Sequence, residues 1–292
     1  VCFNRNLAEH LQGRVNNPRI TIRHFHGLVR EACMTAFHQF DVPTDAGPDF
    51  WTVEVAQMLQ DALDELPDYR FDAVVVDEGQ DFHTDWFIVL EDCHRSQPGP
   101  LYVFFDRAQN LYSKNLQFPD SQTKYKLKRN CRNTKRIAEA CEHTIGETIR
   151  VAAFSPEGEA VEFFQAKDGN GLREAVVSAL DLWVKQEKIA LSRIAILTHH
   201  KPERTMLGQG KVGNHSVTAD LATWRADKAV WVSTIKAFKG MEADVLFLVD
   251  LPEVETEHFG RSDLYVAASR ARLRLLVFSG AKSVREGLSD QI

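Results

Sequence analysis

Short apolar runs recur along this chain between stretches of helical spacing, and that alternation limits its fold more than any other feature. Phe71-Asp72-Ala73-Val74-Val75-Val76, Leu101-Tyr102-Val103-Phe104-Phe105, Arg193-Ile194-Ala195-Ile196-Leu197, Val245-Leu246-Phe247-Leu248-Val249 and Leu273-Arg274-Leu275-Leu276-Val277-Phe278 read as strands. Between them Val55, Met58, Leu59, Ala62 and Leu66 keep helical spacing, as do Leu172, Val176, Leu180 and Trp183. Runs that are apolar throughout predict strands buried on both faces, alternating with helices in parallel α/β layers. Phe104-Phe105 and Phe163-Phe164 read as core strands in the same way. With 292 residues the chain can build two domains, each with its own core. Phe118-Pro119-Asp120-Ser121 marks a boundary near residue 120, Pro43 to Pro48 reads as a connector, and Gly208 to Asn214 as an irregular glycine-rich loop.

The net charge of −6 argues against a wholesale basic coat, but not against a narrow basic groove. No apolar run reaches the length of a membrane span, and no signal peptide is expected. The five cysteines, Cys2, Cys33, Cys93, Cys131 and Cys141, show no CxxC spacing, so reduced thiols in a cytoplasmic protein are expected. Val1-Cys2-Phe3 reads as the end of a buried strand, so residues are expected upstream of Val1.

Chemistry concentrates where these runs end. Val74-Val75-Val76 delivers Asp77-Glu78-Gly79-Gln80-Asp81 to a strand's carboxyl end, where open α/β sheets bind ligands. One carboxylate of such a pair can hold Mg²⁺ through its waters, and the next can take a proton from an attacking water. A helix N-cap after a strand explains the same acids. The next strand ends in Asp106-Arg107-Ala108-Gln109, followed by Tyr112, which is a phosphate sensor or a plain turn. Lys126-Leu127-Lys128-Arg129-Asn130-Cys131-Arg132 is a basic cluster at a helix start: a solvated face, or an arginine that reaches a γ-phosphate with its planar fork. Ser233 to Asp244 contains the Lys239-Gly240 turn, where backbone can approach a ligand closely. Asp263-Leu264-Tyr265-Val266-Ala267-Ala268-Ser269-Arg270-Ala271-Arg272 has helical spacing and ends in arginines. Thr198-His199-His200-Lys201 reads as a loop after a strand, since adjacent histidines point apart and lack a third ligand.

In order along the chain, these elements resemble motifs II to VI of superfamily 1 helicases, closest to the UvrD/Rep branch. Phe3-Asn4-Arg5-Asn6-Leu7-Ala8 is similar to motif Ia, and Phe25-His26-Gly27-Leu28 to motif Ib. The resemblance implies an α/β fold of two RecA-like parallel-sheet domains of the P-loop NTPase type, the first truncated at its N-terminus, with ATP between them. Domain 1A would span 1–120 with a small helical 1B-like insertion at about 29–70. Domain 2A would span 121–292 without a large 2B insertion. By the same resemblance Asp77 holds Mg²⁺, Glu78 activates water, and Gln80 and Gln109 sense the γ-phosphate. Arg132 and Arg270 are arginine fingers, and Lys239, Gly240 and Glu242 contact the nucleotide. Asn4, His26, Tyr112 and Lys236 touch single-stranded DNA or RNA, with DNA favoured and polarity 3′ to 5′.

Departures from the family pattern are also specific. No Gly-x-x-x-x-Gly-Lys-Ser/Thr loop occurs in residues 1–292. An upstream phosphate-loop segment is therefore expected, with an upstream nuclease-related domain as in some compact relatives, and the chain alone is expected to hydrolyse little ATP. Cys131 stands where the family has an aromatic residue, Lys236 replaces a histidine, His24 replaces a threonine, and no Trp-Arg-Gly follows Tyr112. The expected activity is that of an ATP-dependent helicase or translocase, a hydrolase of DNA-repair type. The alternative is a helicase-like module that binds nucleic acid or protein without turning over ATP.

Overall fold

The structure, a computed structural model, describes residues 1–111, 118–120, 123–166, 168–205, 207 and 210–289. The chain divides into two compact units, Val1–Tyr125 and Lys126–Ile292. Among the described residues no helix is long and apolar enough to cross a membrane.

Unit 1 begins with α1 (Arg5–Gln12), capped by Asn4, whose side-chain oxygen accepts from the amides of Asn6 and Leu7 at 2.8 and 3.3 Å. Next come α2 (Phe25–Phe37) and a π-helical turn, Phe50–Glu54, that runs directly into α3 (Val55–Glu65). Strand β1 (Val74–Val76), helix α4 (Thr84–Asp92) and strand β2 (Leu101–Val103) follow. β1 and β2 are parallel, with Val74 opposite Leu101 and Val76 opposite Val103. Single bridges join Cys2 to Asp77 on one side and to His24 on the other, which extends the parallel order outward.

Phe25, Leu28 and Val29 of α2, Leu59 and Leu63 of α3, and Trp86, Phe87 and Leu90 of α4 close over Val74 and Val76. The helices lie on that side, so the expectation of strands buried on both faces fails in this unit. Side chains alternate along a strand, and the other face carries Val75 at 47% and Tyr102 at 55% exposure. Phe104 and Phe105 are not core strand either. They follow the end of β2 and stand about half exposed, with Phe105 packed on Phe118 at 4.1 Å between ring centres.

Unit 2 meets the expectation of strands covered on both sides. Its elements in order are α5 (Lys135–Ile145), β3 (Glu162–Phe164), α6 (Gly169–Asp181), β4 (Ile194–Thr198), β5 (Lys211–Val212), β6 (His215–Thr218), α7 (Leu221–Arg225), β7 (Val230–Thr234), α8 (Ile235–Phe238), β8 (Ala243–Val249), α9 (Arg261–Ala268), β9 (Ala271–Phe278) and α10 (Lys282–Leu288). They form a seven-stranded sheet of order β3-β9-β8-β4-β7-β6-β5. Every pairing is parallel except that of β5 with β6. All seven residues of β8 are buried. Leu172, Val176, Leu180 and Trp183 of α6 and its π-helical extension pack on alternate strand residues such as Ile196, Val232, Phe247 and Phe278. α5 and α9 pack against β9. This mixed α/β, parallel-dominated sheet accords with a RecA-like domain.

Part of the stretch read as an irregular loop, 208–214, is instead ordered structure. β5 and β6 form a hairpin with Val212 opposite His215, and Gly213 takes a left-handed φ of 59° in its two-residue turn. Residues 208 and 209 lie outside the described residues.

All five cysteines are free; Cys2, Cys33, Cys93 and Cys141 are buried, and Cys131 is exposed. Burial pushes the Cys2, Cys93 and Cys141 thiols up to about 12, so they are protonated and unreactive at neutral pH. Titration of the native protein with an aromatic disulfide reagent is expected to release one fast equivalent of thiolate, absent in Cys131→Ser, with the other four appearing on unfolding. Several fast equivalents from native protein would contradict this packing.

Candidate functional site

In unit 1 the acidic motif sits where β1 ends. Asp77 continues the strand through its amide, which donates to the Val1 carbonyl at 2.9 Å, and its carboxylate accepts from the Glu78 amide at 3.0 Å. Glu78 then takes a left-handed backbone, φ 55°, which costs an L-residue about 1–2 kcal/mol. That sharp turn presents Glu78 beside Gln80. The Gln80 amide donates to the Glu78 carboxylate and accepts from the Asp106 backbone amide at 3.0 Å. Asp106 in turn caps the short helical turn Arg107–Gln109 and accepts from the Gln109 side chain at 2.9 Å. Glu78, Gln80, Asp106 and Gln109 are thus one hydrogen-bonded relay. Gln80 is fully buried in it and Gln109 nearly so. Asp106, which sequence reasoning quoted without a role, is its central member.

Gly79 makes this closure feasible. Its amide donates to the Phe104 carbonyl at 2.8 Å, and a Cβ there would stand 2.5 Å from Val103 Cγ1 and 3.3 Å from that carbonyl.

The residues read as nucleic-acid contacts are less uniform. Asn4 spends its side-chain oxygen on capping α1. His26 is partly buried, with Nε2 donating to the Trp51 carbonyl at 3.2 Å. Its ring lies edge-to-face with Trp51, and His24 stands 6.5 Å away. Burial is the main cause that holds both imidazoles below the ordinary histidine range; His26 and Arg5 lower His24 further, while His26 is raised by its hydrogen bond to the Trp51 carbonyl and lowered by His83. Tyr112 lies outside the described residues. Lys236 is exposed on α8, whose start is capped by Thr234 through the Ala237 amide at 3.1 Å.

In unit 2 an asparagine ladder joins two motifs distant in sequence. The Asn130 side-chain oxygen accepts from the amides of Arg132 and Asn133 at 2.8 and 3.1 Å. Asn133, itself buried, donates to the carbonyls of Ser269 and Ala271 at 3.1 and 2.6 Å. The backbone on either side of Arg270 is thereby tied to the backbone beside Arg132. The two arginines nevertheless differ. Arg132 is about one-third exposed and pairs with Glu242 at 3.1 Å, an acid also approached by Arg272 at 3.5 Å. Arg270 is fully buried and turned back on α9, where it donates to the Val266 carbonyl and the Ser269 hydroxyl, each at 3.1 Å. Lys239 is buried, and Gly240 takes the left-handed φ of 82° that its turn requires. Asn133 was missed by sequence reasoning. Its only signal was a place one residue beyond the Asn-x-Arg motif.

Residues 229–278 match the family described as the UvrD-like helicase C-terminal domain. Over those residues the chain is similar to the C-terminal domain of UvrD-like helicases. This UvrD-like stretch runs from just before β7 to the end of β9, and contains Lys236, Lys239, Gly240, Glu242 and Arg270. No curated protein matches the chain. Among solved structures it is similar to the C-terminal domain of a possible DNA helicase from Lactobacillus plantarum WCFS1, at 18% identity and a TM-score of 0.43, covering 55% of this chain and 94% of that one. It is also similar to the arterivirus nonstructural protein 10 helicase, in complex with DNA, at 13% identity and a TM-score of 0.40, covering 70% of this chain and 39% of that one. The chain therefore spans well under half the length of the viral helicase.

Two predictions follow from unit 1. Gly79→Ala is expected to lower stability by about 1–3 kcal/mol, as overpacking does where stiff neighbours cannot yield, and a denaturant midpoint equal to wild type would refute that. The buried imidazoles give a pH dependence of defined sign. Their folded pKa values lie below the unfolded value of 6.5, so the unfolded chain binds more protons. Stability is full above about pH 6.5 and falls as pH drops below it. The melting temperature should decline from about pH 7 to 5 with a shallower slope in His26→Gln, and an unchanged slope would remove His26 from the account.

Proposed function

We propose that this chain supplies most of an ATP-driven translocase on single-stranded nucleic acid, DNA in preference to RNA, built from two RecA-like domains. The observation that carries the proposal is in unit 2: the UvrD-like segment holds Glu242 and Arg270, and the basic motif outside that segment is bonded to it through Arg132 and Asn133. In this reading Glu78 accepts the proton of the attacking water, and the Gln80–Asp106–Gln109 relay reports on the γ-phosphate. Arg132 and Arg270 stabilise charge on the transferring phosphoryl group, where such arginines are worth roughly 10³–10⁵ in rate. Lys236 contacts the nucleic-acid backbone.

The residues present also fit Mg²⁺. Among the described residues no group of three or more His, Cys, Asp or Glu side chains forms a metal cage. Two adjacent carboxylates at a strand end, Asp77 and Glu78, suit an ion that keeps its waters and comes with a triphosphate, as Mg²⁺ does. Asp77 would hold it, and it would neutralise phosphate charge. The burial of Arg270 favours a second reading, a helicase-like binding module without turnover.

ATP turnover with and without single-stranded DNA distinguishes the two. A phosphate loop cradles phosphates with backbone amides, so residues 1–292 alone should turn over little. A longer form bearing such a loop should show DNA-stimulated turnover that is abolished in Glu78→Gln. A longer form that binds DNA yet never hydrolyses ATP would establish the module reading instead.

A further inference from the structure

The chain has five tryptophans. Trp86, Trp183, Trp224 and Trp231 are between 1% and 9% exposed, whereas Trp51 is 37% exposed. Trp51 sits in the π-helical turn that precedes α3, and of the two tryptophans in π-helical turns, Trp51 and Trp183, it is the one at the surface. Such turns widen the helix, cost hydrogen bonds, and persist where a side chain must be re-aimed. Here the two carbonyls at the turn are taken up by side chains. His26 Nε2 donates to the Trp51 carbonyl at 3.2 Å, and Trp86 Nε1 donates to the Thr52 carbonyl at 2.8 Å. The Thr52 hydroxyl donates back to the Pro48 carbonyl at 3.1 Å.

The ring is fixed from two sides. Phe50 meets it edge-to-face at 5.0 Å and His26 at 5.3 Å. Behind His26 lies the closed stack of Phe25 on Trp86, 4.1 Å apart and nearly parallel. An indole held this rigidly at the surface loses little freedom on binding. Its N–H makes no hydrogen bond among the described residues. Asp49 and Glu54 flank the turn in sequence. His26, whose ring meets the indole, and His24, 6.5 Å from His26, are both held below the ordinary histidine range by burial, so they bring no positive charge to the contact near neutral pH.

We propose that Trp51 is a stacking platform for one base of a single-stranded nucleic acid. This deepens the translocase reading and rests on it. A flat, sequence-tolerant aromatic surface suits a protein that must hold every base in turn, because each base offers a π-face.

The test uses the full chain and unlabelled oligothymidylate, read by tryptophan fluorescence and, with a labelled strand, by anisotropy. Wild type should bind with quenching. Trp51→Phe should lose most of the quench while keeping part of the affinity. Trp51→Ala should bind about 5- to 150-fold more weakly, the loss expected of one stacked base. On a strand with abasic sites, wild type and Trp51→Ala should bind alike, a result that a merely structural role for Trp51 would not produce. Equal affinity of wild type and Trp51→Ala for the intact strand would overturn this proposal and leave the translocase reading standing. No binding of any strand by wild type would overturn both.

Discussion

A buried primary amide in each unit fixes the geometry of the charged groups beside it. Gln80 is wholly removed from water and Asn133 nearly so. An unsatisfied buried amide costs about 1–3 kcal/mol per group, so each must find partners in the protein. Gln80 finds them in the Glu78 carboxylate and the Asp106 amide, and Asn133 in two carbonyls that flank Arg270. In both cases the amide joins the end of one element to the end of a neighbour. Strand pairing sets the spacing of those ends; the amide sets their angle. A carboxylate in unit 1 and an arginine in unit 2 inherit fixed positions from groups that carry no charge.

Much of this was legible in the residues, for identifiable reasons. Val245–Val249 of β8 and Leu275–Phe278 of β9 are uninterrupted apolar runs, and their burial follows from composition. The placement of Asp77 and Glu78 at a strand end follows because the valines before them leave no other register. β7 was not read, since Val230-Trp231-Val232-Ser233-Thr234 is short and its last two residues look like a loop; it is a strand because β4 pairs with it from Ala195 to Thr198. The β5–β6 hairpin hid behind its glycines, although Gly213-Asn214 is a turn signal in its own right. The uncovered face of β1 and β2 could not be read at all. Val75 and Val76 are the same residue type, and only the placing of α2, α3 and α4 on one side makes one valine core and the other surface.

The site was legible in its residue types and not in its connections. The order Asp-Glu-x-Gln-Asp names the Glu78–Gln80 neighbourhood, but that Asp106 closes the relay depends on the parallel register of β1 and β2, which brings residue 104 beside residues 76 and 79. Trp51 carried no motif. Its position depends on a π-helical turn, which hydrophobic spacing cannot distinguish from the first turn of α3.

The contrast between Arg132 and Arg270 bears on how such a site can respond to a ligand. Arg132 and Glu242 are each more than one-third exposed, and an ion pair so placed contributes only about 0–1 kcal/mol. A phosphate oxygen can replace Glu242 at that arginine with little penalty, and the released carboxylate still has Arg272 as a partner. Arg270 has no such freedom. Its guanidinium is enclosed and bonded to the carbonyl of Val266 and the hydroxyl of Ser269, groups of the same helix end. Moving it would strip those acceptors of a charge-assisted donor inside the protein, where that loss is largest. The two arginines therefore stand at different energetic distances from a ligand: Arg132 is ready to exchange partners, and Arg270 can do so only with a rearrangement of the α9–β9 turn that Asn133 holds from the other side.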